Sequence, residues 1–386
     1  MTWSITSMTK INKRKAPTAH LAPDITETRK FRRQRTISSW IWRFIVHALH
    51  RDFSLQVDEI DLLNQDRPNA VGCEITNVCN ADCSFCVYGK KGGDERKKSK
   101  LDMEVLRHTL KLADQTGDMH FTLSPILGEV SADKRWLDMV KEIRSHSNIK
   151  TLSCYTNAIL LDRFGSEDIL TSGITSMTIS TALGSKDQYE RLYGVEKYET
   201  VVENILDLLR TNVALGKPVN LEIQLRIDKP FSNFLDSDLY GEILKYLPAE
   251  KIYILDDAWE NSKGLLNIEN LPTGHKFRAP HVTRDQPCSV MFRKLEVLMD
   301  GTIQACACRV EPELWLGNIK DHDTIESAWH SPQYEKLRND WFDGKMPKCC
   351  ETCTHYMPAN DLVKKYQPAP VMKKIGRKLA RLSGLQ

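Results

Sequence analysis

Residues 71–86 read VGCEITNVCNADCSFC and give the strongest indication of the fold. Its first six residues form an apolar and β-branched run, which indicates a strand. Cys79, Cys83 and Cys86 then follow within eight residues. Enzymes built from parallel strands form their sites from the loops at the C-terminal ends of those strands. We therefore expect one loop to present three thiols directly after the first strand.

Outward from this stretch, short apolar runs alternate with longer stretches that have a helical period. The clearest helix covers 198–215 and ends before Gly216. Parallel strands joined by helical crossovers produce such an alternation. The sequence therefore predicts an α/β fold, a partial (β/α)6 TIM-like barrel. Its predicted strands cover 71–76, 119–124, 149–156, 175–181, 219–227 and 251–256.

After about residue 280 the pattern changes. Two runs, 294–299 and 302–308, flank Asp300 and Gly301, which together indicate a two-residue hairpin turn. A helix is predicted over 324–341. We therefore expect a small cysteine-rich α+β domain after the barrel. The predicted division is a basic leader and amphipathic helix over 1–69, the barrel over 70–279, the small domain over 280–357 and a basic tail over 358–386.

Composition limits the classes of protein that this chain can be. Its 386 residues are 41% hydrophobic and 27% charged, which is typical of a soluble globular protein. The net charge of +3 gives no protein-wide positive field, so we do not expect nucleic-acid binding. We expect no signal peptide, because the first 37 residues are polar and rich in Lys and Arg, and the apolar run over 40–49 is too short for a membrane span. We therefore expect a protein of the reducing cytoplasm, without a transmembrane segment, in which clustered thiols bind metal.

The three thiols of residues 79–86 favour zinc or an iron–sulfur cluster, because thiolates are soft ligands. A four-iron cluster held by three cysteines keeps one iron open to a ligand that is not protein. The alternative is a structural zinc knuckle that takes a fourth ligand such as Cys73.

This motif, with Phe85 before its last cysteine, resembles the signature of the radical S-adenosylmethionine (SAM) superfamily. The resemblance implies that Cys79, Cys83 and Cys86 bind a 4Fe-4S cluster whose open iron chelates SAM. In that family, one electron cleaves SAM to methionine and a 5′-deoxyadenosyl radical, which abstracts a substrate hydrogen. The resemblance also implies an electron donor such as flavodoxin or ferredoxin.

Further positions resemble the SAM-binding residues of the family. Gly128 and Glu129 resemble a motif that receives the methionine amino group, although this chain has Leu-Gly-Glu-Val where Gly-Gly-Glu-Pro is common. Ser180 resembles a ribose-contacting serine, and Arg191 resembles an arginine that meets the SAM carboxylate. The alternative for each polar residue is a cap or a solvated group. With Phe85, these residues are the predicted cofactor-binding set.

A second group of cysteines lies in the last hundred residues. Its order, with Asp300-Gly301 and Cys350-x2-Cys353, resembles the SPASM domain and its shortened twitch form. The resemblance implies one auxiliary 4Fe-4S cluster, since no cysteine follows Cys353, and it predicts about eight irons per chain in total. A zinc site is the alternative. The predicted ligands are Cys288, Cys306, Cys350 and Cys353, with Cys308 and Cys349 as alternatives.

Such enzymes oxidise, epimerise or cross-link their substrates. The preferred prediction is oxidation (dehydrogenation) or epimerisation of a small polar metabolite such as an aminocyclitol or a sugar derivative. The alternatives are a peptide maturase and, in another class, a zinc-stabilised binding protein. Residues that follow the fifth and sixth strands are the predicted substrate contacts: Arg226, Trp259, Glu260 and Asn261.

Overall fold

A computed structural model describes residues 67–68, 70–256, 259–279, 284 and 287–356. The predicted basic leader, the helix over 38–49 and the tail over 358–386 therefore lie outside the described residues. None of the described helices has both the length and the apolar content that a membrane span requires.

Six parallel strands form the first part of the sheet, in the order in which they occur along the chain. The predicted strands and the partial barrel are thereby confirmed. The strands are β1 Ala70–Cys73, β2 Met119–Leu123, β3 Ile149–Thr156, β4 Ser176–Thr181, β5 Asn220–Leu225 and β6 Ile252–Ile254. The helices that connect them are α1 Met103–Ala113, α2 Trp136–Arg144, α3 Ser166–Thr171, α4 Lys186–Tyr193, α5 Tyr198–Ala214, α6 Ser232–Leu235 and α7 Asp238–Ile243.

The outer face of this sheet is apolar and packs against the helices. Alternate strand residues such as Val71, Phe121 and Leu152 are fully buried. Helix α5 contributes Ile205 and Leu208 to the same core, and its bounds match the prediction within one residue. Because strand side chains alternate between two faces, this packing turns every second residue toward the inside of the open barrel.

The inner face is polar. Strand register places Thr122 opposite Ser153, and their hydroxyl oxygens lie 3.2 Å apart. His120 Nδ1 lies 2.5 Å from Thr151 Oγ1 in the same row of the sheet. A closed barrel of this type fills its interior with bulky branched side chains, so this chain differs in its interior. The inner-face residues of β2 to β5 are His120, Thr122, Thr151, Ser153, Tyr155, Ser176, Thr178, Ser180, Glu222 and Gln224.

The C-terminal part continues the same sheet. Strand β7, Lys294–Val297, pairs in parallel with β1, and β8, Thr302–Gln304, and β9, Trp315–Asn318, follow in antiparallel order. The predicted two-residue turn at Asp300 is wrong. Glu296 pairs with Gln304, and the four residues 298–301 connect the two strands. Gly301 supplies the left-handed conformation at φ +92° that such a connection needs.

The single helix predicted over 324–341 is also wrong. The structure has α8, Ile325–Trp329, and α9, Pro332–Phe342. Proline disfavours helical geometry in the residue before it, and Ser331 caps α9 by accepting a hydrogen bond from the Tyr334 amide. A short helix α10, Lys348–Glu351, then carries two of the cysteines.

Candidate active site

The loop over 79–86, here called the cysteine loop, leaves the C-terminal end of β1 and is fastened to α4. The Asp82 amide donates to the Tyr193 carbonyl at 3.0 Å, and the Ser84 amide donates to the Leu192 carbonyl at 2.8 Å. Gly194 lies at φ +66°, and a Cβ there would be 2.5 Å from the Asp82 oxygen. Glycine at the end of α4 therefore permits the close approach of the loop.

The three thiols of the cysteine loop influence one another. The Cys86 amide donates to the Cys83 carbonyl at 3.1 Å, which turns the chain between them. Burial raises the pKa of all three thiols, to about 12 for Cys79, and neighbouring sulfurs raise it further at Cys79 and Cys83. Positive charge from bound iron would stabilise these thiolates. The donor set is thus one that needs a cationic partner.

Tyr88 supports the cysteine loop from the segment that follows it. Its amide donates to Cys86 Sγ at 3.4 Å, and its hydroxyl oxygen accepts from the Cys79 amide at 2.9 Å. The Lys98 ammonium lies 3.7 Å from the centre of the Tyr88 ring. The first and last cysteines of the loop are therefore held by one residue, Tyr88, through its hydroxyl and its amide respectively.

Glu129 is buried, and its carboxylate is occupied within the protein. One oxygen accepts from the Ser131 and Thr156 hydroxyls at 2.7 Å each, and the other accepts from the Asn157 amide at 2.7 Å. Burial raises its pKa, and these hydrogen bonds act in the opposite direction. The side chain therefore fastens β2 to β3, and its predicted contact with SAM remains a prediction.

Gly128 brings the chain against the start of the cysteine loop. It lies at φ +144°, and a Cβ there would be 2.6 Å from the Thr76 carbonyl oxygen. The next amide, of Glu129, donates to the Val78 carbonyl at 2.9 Å. The close approach of the two backbone segments therefore requires glycine at position 128. Within the described residues, no backbone amide donates to the Gly128 carbonyl oxygen.

Arg226, predicted as a substrate contact, lies beside the cysteine loop. Its guanidinium donates to the hydroxyl of Ser180 and lies 5.3 Å from the Phe85 ring centre. Its charge also lowers the pKa of the Cys83 and Cys86 thiols, against the larger effect of burial. The structure therefore brings Ser180, Phe85 and a cation together at one place.

Arg191 forms an ion pair with another residue of the chain. Its guanidinium donates to both carboxylate oxygens of Asp228, at 2.8 and 2.7 Å. Burial raises the pKa of Asp228, but the hydrogen bonds from Arg191 and the Thr273 amide outweigh it and leave the pKa lowered. The predicted role of Arg191 toward SAM stays a prediction.

Trp259 forms a buried wall of the site. Its ring centre lies 5.4 Å from that of Phe85, and its indole N–H donates to His275 Nδ1 at 2.8 Å. The other ring nitrogen of His275 lies 2.8 Å from the Ile227 carbonyl oxygen. A neutral imidazole protonated on Nε2 satisfies both contacts, and burial lowers the pKa of His275.

Two neighbours of Trp259 are engaged within the protein. The Glu260 carboxylate forms a buried ion pair with Arg309. The Asn261 carbonyl accepts from the Gly264 and Leu266 amides at 3.0 Å each. Their predicted substrate contacts remain predictions, and the Glu260–Arg309 pair was not visible in the sequence because 48 residues separate the two.

The second group of cysteines surrounds one cavity, here called the auxiliary cavity. All four predicted ligands line it, and so does Cys308, whereas Cys349 does not. Arg284 donates to the carbonyls of Cys350 and Cys353 at 2.9 Å each, which fastens the last segment. The structure thus brings Cys288, Cys306, Cys350 and Cys353 together, and their role as ligands stays a prediction. The lining comprises Cys288, Val290, Met291, Cys306, Cys308, Arg309, Leu314, Trp341, Cys350, Cys353, His355 and Tyr356.

Both sites fit iron–sulfur clusters by the chemistry of their donors, which are thiols. No three Cys, His, Asp or Glu side chains among the described residues are grouped to hold a single metal ion. Near the cysteine loop, the Tyr189 hydroxyl and the Asn80 amide nitrogen are buried without a hydrogen-bond partner in the described structure. Burial raises the pKa of the Tyr189 hydroxyl, and negative charge at neighbouring groups, among them Cys83, Glu129 and Cys79, raises it further. These orphaned polar atoms suit a polar cofactor such as SAM.

Two family models match the chain. The radical SAM superfamily model matches residues 73–216, and the SPASM model, an iron–sulfur cluster-binding domain, matches residues 288–354. The first match contains the cysteine loop, and the second contains every residue that lines the auxiliary cavity except His355 and Tyr356.

Relatives and solved structures agree in part with these matches. A GTP 3′,8-cyclase from Petrotoga mobilis is 21% identical over 317 residues, covering 70% of this chain and 93% of the relative. A cyclase of the same name from Pasteurella multocida is 25% identical over 134 residues, and the chain spans only 38% of that relative's length, or 34% of its own. The crystal structure of SuiB from Streptococcus suis has a TM-score of 0.50 at 13% identity, covering 75% of this chain and 71% of that chain. At that identity, the likeness is one of fold.

Proposed function

Because this chain belongs to the radical SAM superfamily and carries a SPASM-type iron–sulfur domain, we propose that it oxidises a small polar metabolite. When bound, the cofactors would supply a 5′-deoxyadenosyl radical for the removal of one hydrogen atom from a carbon bearing a hydroxyl or amino group, and an acceptor for the remaining electron. The substrate would lose its second hydrogen as a proton and become a carbonyl or imine. An electron donor such as flavodoxin or ferredoxin would supply the electron that cleaves SAM, and its oxidised form would take back the electron left on the auxiliary cluster.

The polar inner face of the open barrel carries this proposal. Its side chains are mostly hydroxyls, with one imidazole, one carboxylate and one amide, and Thr122, Ser153 and Gln224 are half-buried. Such groups exchange hydrogen bonds with a hydroxyl-rich or amino-substituted ligand, whereas they would be left unpaired by an apolar one. The face lies below the C-terminal ends of the strands, where the cysteine loop begins.

Residues around the cysteine loop would hold the cofactor and exclude water. The Arg226 guanidinium, beside Ser180, supplies a cation for the SAM carboxylate. Phe85 and Trp259 form an edge-to-face aromatic pair that closes one side of the loop. An apolar wall of this kind limits the access of water to a reactive radical.

The basic segment next to Tyr88 suits the electron donor. Three of its side chains are exposed: Lys91, Lys97 and Lys98. The positive charge of Lys90 lowers the pKa of the Cys86 thiol, against the larger effect of burial. Positive charge near the cluster would steer an acidic redox protein to the shortest path for its electron.

The test is anaerobic turnover of the reconstituted full chain with SAM, a reductant and a panel of candidate substrates. The panel contains aminocyclitols, sugar derivatives and polyols, with GTP included because the cyclase relatives are named for it. We expect 5′-deoxyadenosine release to rise with one class of polar metabolite, and its product to lack two hydrogens by mass spectrometry. Turnover of GTP alone, or of no small molecule, would overturn the proposal.

A matched pair of variants localises the substrate. Thr122→Val removes an inner-face hydroxyl, and Thr171→Val removes an exposed hydroxyl on α3. We expect only Thr122→Val to raise the KM for the substrate, while SAM cleavage without substrate stays unchanged in both. Equal KM values in the two variants would place the substrate elsewhere.

A peptide substrate is the outcome that the same experiment must separate. One SuiB crystal structure from Streptococcus suis is described as bound to its precursor peptide, at 12% identity to this chain. A likeness at that level concerns the fold, so peptides enter the panel as a competing class. Mass loss in a peptide, without small-molecule turnover, would replace the proposed substrate class.

A further inference from the structure

Arg309 and Glu260 form an ion pair in which both partners are almost completely buried, with side-chain exposures of 6% and 7%. Arg309 follows β8 and lines the auxiliary cavity together with five cysteines. Glu260 belongs to the barrel and directly follows Trp259. The desolvation penalty of two buried charges can exceed the free energy of their attraction. Stability alone therefore does not explain an ion pair at this position.

Glu260 does not occupy every donor of the Arg309 guanidinium. The Glu260 carboxylate contacts one terminal nitrogen, and the other terminal nitrogen lies 3.7 Å from a Glu311 carboxylate oxygen. The Nε–H is buried without a hydrogen-bond partner in the described structure. A guanidinium has five N–H donors, so Arg309 retains donors at the edge of a cavity lined by sulfur.

Cys353 is one of the sulfurs that line the auxiliary cavity together with Arg309. Cys353 is also a predicted ligand of the auxiliary cluster. A cation at this place therefore acts on a sulfur that would bind iron.

We propose that Arg309 is a positioning residue that raises the reduction potential of the auxiliary cluster, and that Glu260 holds it in place and opposes it. A cluster gains one negative charge on reduction, so a buried cation stabilises the reduced form, and hydrogen bonds to its sulfurs act in the same direction. The carboxylate of Glu260 acts in the opposite direction. The pair thus sets the potential between two extremes.

The position of Glu260 is fixed from the side of the cysteine loop. Trp259 packs on Phe85, donates to His275, and forms a backbone bridge with Phe277. Two consecutive residues, Trp259 and Glu260, therefore contact the surroundings of both cysteine groups. The inference rests on the proposed function only in that the auxiliary cluster accepts the electron of the substrate radical, since a higher potential favours that step.

The experiment is a potentiometric titration of the reconstituted full chain, followed by electron paramagnetic resonance. Arg309→Gln is expected to lower the auxiliary potential, and Glu260→Gln is expected to raise it. We expect each shift to correspond to about a tenfold change in the one-electron equilibrium, or 59 mV. The cluster of the cysteine loop serves as the internal reference, and its potential should stay constant.

Two further variants separate tuning from folding. Arg309→Lys keeps the charge and should restore most of the potential. Arg338→Gln is the matched control, because Arg338 is a buried guanidinium of the same region that packs on Trp329 and Tyr334 and does not line the cavity. Its potential should equal that of the unchanged protein.

Opposite shifts in Arg309→Gln and Glu260→Gln support the inference. It is overturned by shifts of the same sign, by unchanged potentials at full iron content, or by about four irons per chain in the unchanged protein. Loss of cluster iron in Arg309→Gln with an unchanged potential in Glu260→Gln also overturns it. The readout needs no substrate, so failure of the substrate panel leaves this result standing.

Discussion

The cysteine loop and the auxiliary cavity assemble thiols in opposite ways. The loop takes three cysteines from eight consecutive residues and fastens them to α4 by main-chain hydrogen bonds. The cavity takes five cysteines from three segments that are far apart in the chain, and side chains such as Arg284 fasten them. A site built from one loop is specified locally, whereas a site built from three segments depends on the whole fold.

The two sites should respond differently to the loss of a single cysteine. The loop has only three thiols, so each is needed if one cluster is bound there. The cavity has more thiols than a four-iron cluster binds. We therefore expect any single cysteine substitution in the loop to abolish cluster binding there, whereas in the cavity the outcome should depend on which cysteine is removed.

The largest effect is expected from Cys83→Ala. Removing one of three ligands should abolish SAM cleavage and reduce the iron content from about eight to about four per chain. The measurements are 5′-deoxyadenosine release and iron counting on anaerobically reconstituted protein. Cys154→Ala, which removes a buried thiol outside both groups, should retain cleavage. Retained cleavage in Cys83→Ala would remove the loop from the reaction.

The next largest effect separates two neighbouring cysteines. Cys350 lines the auxiliary cavity and Cys349 does not, although their sulfurs lie 3.9 Å apart. Cys350→Ala should lose product formation and about half of the iron while SAM cleavage persists, whereas Cys349→Ala should keep both clusters. The reverse pattern, measured by iron content and product yield, would show that the cavity is bound through Cys349.

A smaller effect distinguishes the two arginines near the cysteine loop. Arg226→Gln removes the cation beside Ser180 and should weaken SAM binding by about 10- to 100-fold, as expected for hydrogen bonds to a charged group. Arg191→Gln breaks a partly exposed ion pair with Asp228 and should cost under about 1 kcal/mol of stability. Anaerobic equilibrium dialysis measures the affinities. Weak SAM binding in Arg191→Gln alone would restore the role that the family resemblance gives it.

The smallest expected effect is a dependence of the free energy of unfolding on pH, which arises from His275 beside Trp259. Burial lowers the pKa of His275, which accepts from Trp259 only when neutral. The unfolded chain binds this proton more readily, so stability should fall as pH drops below about 6.5. Thermal unfolding at about pH 7.5 and 5.5 measures the fall, which should be smaller in His275→Gln. Equal falls in both proteins would contradict the neutral His275.

Much of the barrel was predictable from sequence because its signals are local. Each strand is a short apolar run, and Gly216 ends α5 in the left-handed conformation at φ +79°. The two errors at Asp300 and Pro332 are also local, and both concern the exact geometry of a turn or a break. Local patterns give the existence of an element more reliably than its end.

The partners of charged residues were not predictable. Glu260 and Arg226 follow strands at the catalytic end, which made both of them substrate candidates. In the structure Glu260 pairs with Arg309 and Arg226 contacts Ser180, and their substrate contacts stay predictions. Forty-eight residues lie between Glu260 and Arg309, and 45 lie between Ser180 and Arg226. No periodicity in the sequence specifies such partners.

Six parallel strands and a loop with three thiols could be predicted from the amino-acid sequence, because spacing along one segment carries that information. The folded chain was needed to show that β7 pairs with β1, that Cys350 and not Cys349 lines the auxiliary cavity, and that Glu260 pairs with Arg309. Those outcomes depend on how separate segments pack, and the free energy of packing is a property of the whole chain.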